Sequence, residues 1–220
     1  MADYKKPDHW QQKARKEGYP ARSVYKLMEI DEKFNLFRNH RSPLRILDIG
    51  AAPGSWSLYV LRKIAAGNNS GFKNGFLAAV DLSPLSREFD NDLKNRGLFD
   101  GDNFYFIQGD VTAPEVRDRL LSKGPYSVII SDAAPNTTGN HIVDSARSLD
   151  LAETVIHCAE SVLAAGGHLA VKVFQGGGAD AVLKHMRTIF ETVKTFKPQA
   201  CRSESVETYF IGLKFLKKLQ

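Results

Sequence analysis

The sequence predicts a doubly wound α/β sheet, and two observations carry that prediction. Short β-like runs alternate with helical stretches, and the runs are continuously apolar, as strands covered on both faces are. No repeat, low-complexity segment or Pro-, Ser- or Gly-rich linker breaks the alternation. With 220 residues, 43% of them hydrophobic, the chain reads as a single domain with a sizeable core. Residues 1–44 form a basic helical extension, and residues 45–220 form the body of the domain.

Two helical stretches, residues 9–17 and 22–34, come first. The first strand, 45–49, runs into LDIGAAPGSW (47–56) and a helix over 55–66. A tight strand-to-helix turn there needs Gly50 for close backbone approach. A phosphate cradle would need G-x-G-x-x-G with free backbone N–H groups. Here Ala52 stands in place of the second Gly and Pro53 removes a donor, so the loop suits the amino-acid and ribose parts of a nucleoside cofactor. The second strand, 76–80, ends at Asp81 in VDLSP, with Ser83 and Pro84 opening a helix expected over 84–96. The third, 104–107, ends in QGDV at Asp110, before a helix over 114–121. The fourth, 127–131, ends in SDAAPNTTG (131–139), before a helix over 146–163. The fifth, 168–174, reads HLAVKVF and carries Lys172 inside an apolar β-branched run, followed by a glycine-rich loop. A helix over 179–192 and a last strand over 208–215 complete the pattern.

Ligands of such sheets sit beyond the carboxyl ends of the strands. An aspartate alone at a strand end is as readily a helix cap or turn residue. Asp48, Asp81 and Asp110 at successive ends point together to S-adenosylmethionine, with Asp81 placed for the ribose hydroxyls and Asp110 for the adenine amine. Burying a lysine costs free energy unless it is paired, so Lys172 reads as a functional amine rather than a snorkelling edge residue.

Charge is divided along the chain. Residues 1–45 carry 11 Lys/Arg against 6 Asp/Glu, residues 184–220 carry 8 against 3, and residues 46–183 carry 11 against 16. Basic ends folded onto one face would suit phosphates, and an acidic centre would suit a cationic cofactor. Cys158 and Cys201 form no metal-type spacing and read as reduced thiols, the six histidines are scattered, and no metal is expected. No apolar run approaches the ~20 residues that span a bilayer. The N-terminal residues lack the marks of a signal or transit peptide, and the expectation is a cytoplasmic monomer.

The joint order and spacing of these segments resemble the FtsJ family of heat-shock RNA 2′-O-methyltransferases. The similarity runs from DHW (8–10) and ARSVYKLMEID (21–31) through DIGAAPGSW, VDLSP, QGDV, SDAAPNTTG and VKVFQGGG to RSESVETYF (202–210). One departure is PGSW where the family has PGGW, which puts Ser55 at a helix start.

The resemblance implies a Rossmann-like S-adenosylmethionine-dependent fold with an antiparallel C-terminal strand. It implies a Lys-Asp-Lys-Glu tetrad at Lys26, Asp132, Lys172 and Glu207, and cofactor contacts at Gly54, Trp56, Asp81, Asp110 and Asp132, beside Asp48 and Gly50 of the first loop. S-adenosylhomocysteine would be the product. Lys172 is expected to accept the proton of a ribose hydroxyl, directly or after orienting it, with Lys26 as the orienting cation. An ordinary lysine, of pKa ~10.4, is protonated at pH 7 and accepts nothing. Electrostatic steering of O2′ by Lys172 is the alternative.

Asn136 and the VKVFQG stretch resemble the branch acting on large-subunit ribosomal RNA, at a uridine of the peptidyl-transferase A loop. The alternatives are the tRNA anticodon loop, capped mRNA, a small-molecule acceptor, or a non-catalytic RNA-binding ribosome assembly factor. Lys5, Lys6, Lys13, Arg15, Lys16 and Arg22 are the expected phosphate contacts. Trp10 and Tyr19 are available for base stacking, although Trp10 serves equally as a core anchor.

Overall fold

The computed structural model describes residues 8–38, 40, 43–67, 71–202 and 204–216, so Lys5 and Lys6 lie outside the described residues. Helix α1 (His9–Lys16) begins at Asp8, whose side chain accepts the Gln11 N–H at 2.9 Å, an Asx cap. Helix α2 (Val24–Phe34) stops at Asn35, which takes the left-handed conformation. The body then runs β1 (Arg45–Ile49), α3 (Ser55–Ala66), β2 (Phe76–Asp81), β3 (Phe104–Gln108), α4 (Pro114–Lys123), β4 (Tyr126–Ser131), α5 (His141–Val162), β5 (Leu163–Phe174), α6 (Ala179–Ile189), β6 (Phe190–Phe196) and β7 (Glu207–Phe215).

Among the described residues these seven strands form one sheet in the order β3-β2-β1-β4-β5-β7-β6. Strands β1 to β5 pair in parallel, and β7 is antiparallel to both β5 and β6. Each face carries its own core. Leu27, Ile30, Trp56, Leu58 and Leu61 from α2 and α3 pack with Ile46, Ile130, Ala170, Tyr209 and Ile211. On the other face Val116, Val155, Ile156, Val182 and Met186 from α4, α5 and α6 pack on Leu47, Ile129, Val171 and Phe210. Alternate residues of the central strands serve the two faces, which explains their uninterrupted apolar character.

Two expectations are corrected. Residues 84–96 form turns, not a helix, with a 3-10 turn at Leu98–Asp100 after them. The segment has no apolar stripe to lay on the sheet: Leu93 is 83% exposed, and the buried anchors are Asn95 and Phe99. Its short polar side chains also satisfy local N–H groups, Ser86 that of Glu88 and Asp92 that of Lys94, in competition with helical bonds. The helix expected to reach residue 192 ends at Ile189, and Phe190–Phe196 is the edge strand β6, whose β-branched and aromatic residues in FETVKTF suit a strand.

Sheet order reverses between β1 and β4, which neighbour each other with their crossovers on opposite sides. That switch point leaves a crevice beyond the strands' carboxyl ends.

Candidate active site

A cavity of about 420 Å³ fills the crevice. Each of the five parallel strands contributes to its walls: Gly50, Ala52 and Pro53 after β1, Asp81 and Leu82 at the end of β2, Gly109 to Val111 after β3, Asp132 to Ala134 after β4, and Lys172 from β5. Gly50 has φ +77°, and a Cβ there would meet the Ala133 Cα at 2.6 Å. Glycine is therefore needed for the β1 loop to pass the β4 loop.

The register of β4, β5 and β7 gathers the ionisable groups. Ser131 pairs with Val171, which sets Asp132 beside Lys172, and Lys172 stands opposite Tyr209 in β7. Glu207, two residues before Tyr209, points to the same face. Helix α2 crosses that face and delivers Lys26. The four expected residues thus meet. Lys26 Nζ lies 2.5 Å from Glu207 Oε2, and Lys172 Nζ lies 3.1 Å from Asp132 Oδ1 and donates to the Asp132 carbonyl at 2.5 Å.

Sequence reading did not single out Tyr209. Its hydroxyl donates to Asp132 Oδ1 at 2.6 Å. Burial and the Asp132 charge push the phenol's pKa well up, so it remains a donor. Burial alone would raise the Asp132 pKa; the charges of Lys172 and Lys26 and the Tyr209 hydrogen bond hold it below the ordinary carboxylate value. Burial also opposes the Lys26 ammonium, but Asp132 and Glu207 outweigh it and hold its pKa above the ordinary lysine value.

The tetrad is a wall between two cavities. On its far side a second cavity, about 370 Å³, is lined by Arg22, Lys26, Arg202, Glu204, Ser205 and Glu207.

The remaining predicted contacts are divided between lining and support. Asp81 Oδ2 accepts the Ala52 N–H at 2.9 Å and Oδ1 accepts the Ser83 N–H at 2.7 Å. Asp110 Oδ1 accepts both the N–H and the hydroxyl of Thr112, bonds that hold its carboxyl below its ordinary pKa. Both line the cavity, as does Gly50. Asp48, Gly54 and Trp56 do not. Gly54 is the left-handed N-cap of α3, with φ +110°. Trp56 is buried, donates its indole N–H to the Ser23 carbonyl at 2.8 Å and packs against Tyr209 at 5.9 Å. Ser55 is the first residue of α3 and accepts the Ala21 N–H at 2.7 Å, tying that helix to the N-terminal segment.

Asp48 is fully buried behind the β1 loop. Ser57 donates to its Oδ2 at 2.7 Å, whereas Oδ1 has no partner. Burial pushes this carboxyl up to about 7, against the Ser57 hydrogen bond.

Of the expected phosphate contacts among the described residues, Lys13 lies over the Trp10 and Tyr25 rings, Arg15 pairs with Glu88 at 2.5 Å, and Lys16 is exposed. Arg22 turns inward to the second cavity. Trp10 packs on Tyr25 at 4.9 Å and so anchors α1, while Tyr19 is buried under Arg62. Tyr19 is therefore not open for base stacking, whereas Trp10 remains partly exposed. Cys158 and Cys201 are free, buried thiols, and burial pushes Cys201 up to about 11. No group of metal-ligand residues occurs among the described residues, and no described helix is long and apolar enough to cross a membrane.

The FtsJ-like methyltransferase family model matches residues 19–215. The chain belongs to this family. It is 45% identical over 212 residues to the ribosomal RNA large subunit methyltransferase E of Treponema denticola, covering 96% of each chain. It is also 45% identical to the protein of that name from Borreliella afzelii, covering 94% of this chain and 98% of the other. A structure described as a candidate ribosomal RNA methyltransferase of Plasmodium falciparum superposes with TM-score 0.68 at 26% identity, over 91% of this chain and all of that one. Human methyltransferase-like protein 13, solved with S-adenosylhomocysteine, shares the fold at 15% identity and TM-score 0.55, over 87% of this chain and 79% of its own. The FtsJ-like chain is thus a methyltransferase with a Rossmann-like fold.

The cavity fits the cofactor of that family. Three carboxylates, Asp81, Asp110 and Asp132, face a single lysine, and Asp48 adds a buried acid behind the loop. Such a field favours a cation over a phosphate.

Proposed function

We infer that the protein transfers a methyl group from S-adenosylmethionine to a ribose 2′-hydroxyl of large-subunit ribosomal RNA, at a uridine of the peptidyl-transferase A loop. The observation that carries the reading is the tetrad wall. Lys172 and Asp132 line the cofactor-sized cavity and Lys26 and Glu207 line the other, so a hydroxyl entering from the far side meets the lysines within reach of the first cavity. The names of the relatives support the RNA, and the ribose and the uridine follow from the family resemblance of the motifs.

The sulfonium cofactor supplies an activated methyl group and needs no metal to do so. Asp81 would hold its ribose hydroxyls, Asp110 its adenine amine, and the Gly50 to Pro53 loop its amino-acid end. Everything else falls to the tetrad. A ribose hydroxyl is a poor nucleophile, so the protein must align it and give its proton a route. Lys26, held charged by Glu207 and Asp132, donates to O2′ and fixes its direction. Lys172 is held in place by Asp132 through the carboxylate and the carbonyl. An ammonium has three protons, so one direction remains open towards O2′. In its amine form Lys172 would take the hydroxyl proton as the O2′–methyl bond forms and the methyl–sulfur bond breaks, leaving the neutral thioether.

The test is transfer of labelled methyl to large ribosomal subunits, free large-subunit rRNA and bulk tRNA in parallel, with nucleoside analysis of the products. Lys172→Ala and Lys172→Arg should both lose transfer by at least about 100-fold, the scale of general-base catalysis. A guanidinium cannot deprotonate at neutral pH, so turnover retained in Lys172→Arg would refute the proton-accepting role. Labelling of tRNA alone would move the substrate.

A further inference from the structure

The second cavity contains an anion seat that already holds an internal anion. Arg22 from the segment before α2 and Arg202 from the segment before β7 both line that cavity. Both address the same atom, Asp8 Oδ2: Arg22 Nη1 is hydrogen-bonded to it and Arg202 Nε lies at 3.8 Å. Guanidinium groups match carboxylate and phosphate oxygens alike.

The cationic half of the seat is rigidly built. The other Arg22 nitrogen, Nη2, donates to the Ala200 carbonyl at 2.5 Å. Glu29 of α2 accepts the N–H groups of Gln199 and Ala200 at 2.7 and 2.8 Å, pinning the segment that carries Arg202. Enclosure differs along the seat: the Arg22 side chain is 15% exposed, the Asp8 side chain 36% and the Arg202 side chain 55%.

Charge points the same way. Arg22, Lys26 and Arg202 face Glu204 and Glu207 around the cavity, and Asp8 brings the carboxylates level with the cations. Among the lining residues alone the cations outnumber the carboxylates by one, a balance that suits a single phosphodiester. A ribose presented to Lys26 through this cavity carries a phosphate on either side of it.

We propose that Arg22 and Arg202 seat one RNA backbone phosphate next to the target ribose, and that Asp8 holds the seat until the strand displaces it. This rests on the reading of the site as a ribose methyltransferase. The exchange replaces one anion by another, so Arg22, the more enclosed of the two arginines, keeps an anionic partner throughout. It also makes RNA binding compete with the docking of the α1 N-terminus.

Equilibrium binding of a large-subunit rRNA transcript over a salt series tests this, with wild type, Asp8→Asn, Arg202→Gln and the double variant. Asparagine caps a helix as well as aspartate, so Asp8→Asn removes the charge and keeps α1. Asp8→Ser, another good cap, serves as the second variant. The expected result is RNA affinity raised about two- to fivefold in both Asp8 variants, the scale of a partly exposed ion pair. Arg202→Gln should weaken binding and lower the salt slope by about 0.7–0.9, one phosphate's share. In the double variant the gain from Asp8→Asn should shrink but persist, because Arg22, which holds Asp8 by a hydrogen bond, is still present.

Wild-type affinity and salt slope in both Asp8 variants, or a gain from Asp8→Asn that Arg202→Gln leaves undiminished, would overturn the proposal. Methyl transfer is measured on the same preparations. Its absence from wild type on every RNA would refute the activity, whereas unchanged affinity in Asp8 variants that still transfer methyl refutes the seat alone.

Discussion

Asp132 must stay ionised where burial opposes a charge, and the Tyr209 hydroxyl is one of the three groups that make this possible, beside Lys172 and Lys26. Because its pKa is depressed, the stabilisation from this carboxylate is present above its unfolded value and is lost as pH falls through the folded one. Removing one donor raises the folded pKa, so the loss begins at higher pH. Tyr209→Phe should therefore slow methyl transfer roughly tenfold, the worth of a single hydrogen bond, and raise the pH at which acid unfolding begins. An unchanged acid-unfolding midpoint would leave Tyr209 as a packing partner of Trp56 and no more. The four residues that the structure brings together could be named from the sequence because each lies in a motif that carries the family resemblance. Tyr209 could not, since its partner lies 77 residues away, although its place two residues after Glu207 in a strand was a usable signal. Arg202 likewise gains meaning only through Asp8 and Arg22.

At the scale of elements, the strand ends were legible because continuous apolar runs stop abruptly at Asp81, Asp110 and Asp132. The β2–β3 connection was not, because polar side chains capping their own turns look locally like a helix start. The loop after β1 could be placed but not divided, and it is the burial of Asp48 and Trp56 that assigns them to support. The contact between β1 and α3 through Asp48 and Ser57 carries a pH signature. Asp48 is raised from 3.8 to about 7, so the folded protein binds that proton more tightly than the unfolded chain does. Between about pH 4 and 7 this group therefore lowers stability as pH rises. Asp48→Asn keeps the shape and the acceptor for Ser57 and removes the titration. Urea unfolding should show the variant gaining on wild type across that window, by an amount on the order of 4 kcal/mol at pH 8, with the two alike near pH 4. A constant difference at all pH values would contradict a buried, titrating Asp48.

Across the whole molecule, the separation of charge along the chain has a spatial counterpart. The basic N-terminal and C-terminal regions meet where Arg22 and Arg202 share the second cavity, while aspartates of the acidic centre line the first. Composition raised that arrangement as a condition, and α2 lying beside the segment before β7 fulfils it. The wall between the cavities has a kinetic consequence. The two cavities share no lining residue, so on the proposed assignment neither substrate would cover the other's way in or have to wait its turn. The order of arrival should be random: the transcript should bind with the same affinity, within about twofold, whether or not S-adenosylhomocysteine is present, and S-adenosylhomocysteine should bind alike with and without the transcript. Strict dependence of either on the other would mean an obligatory queue, and the wall would then have to move between one arrival and the next.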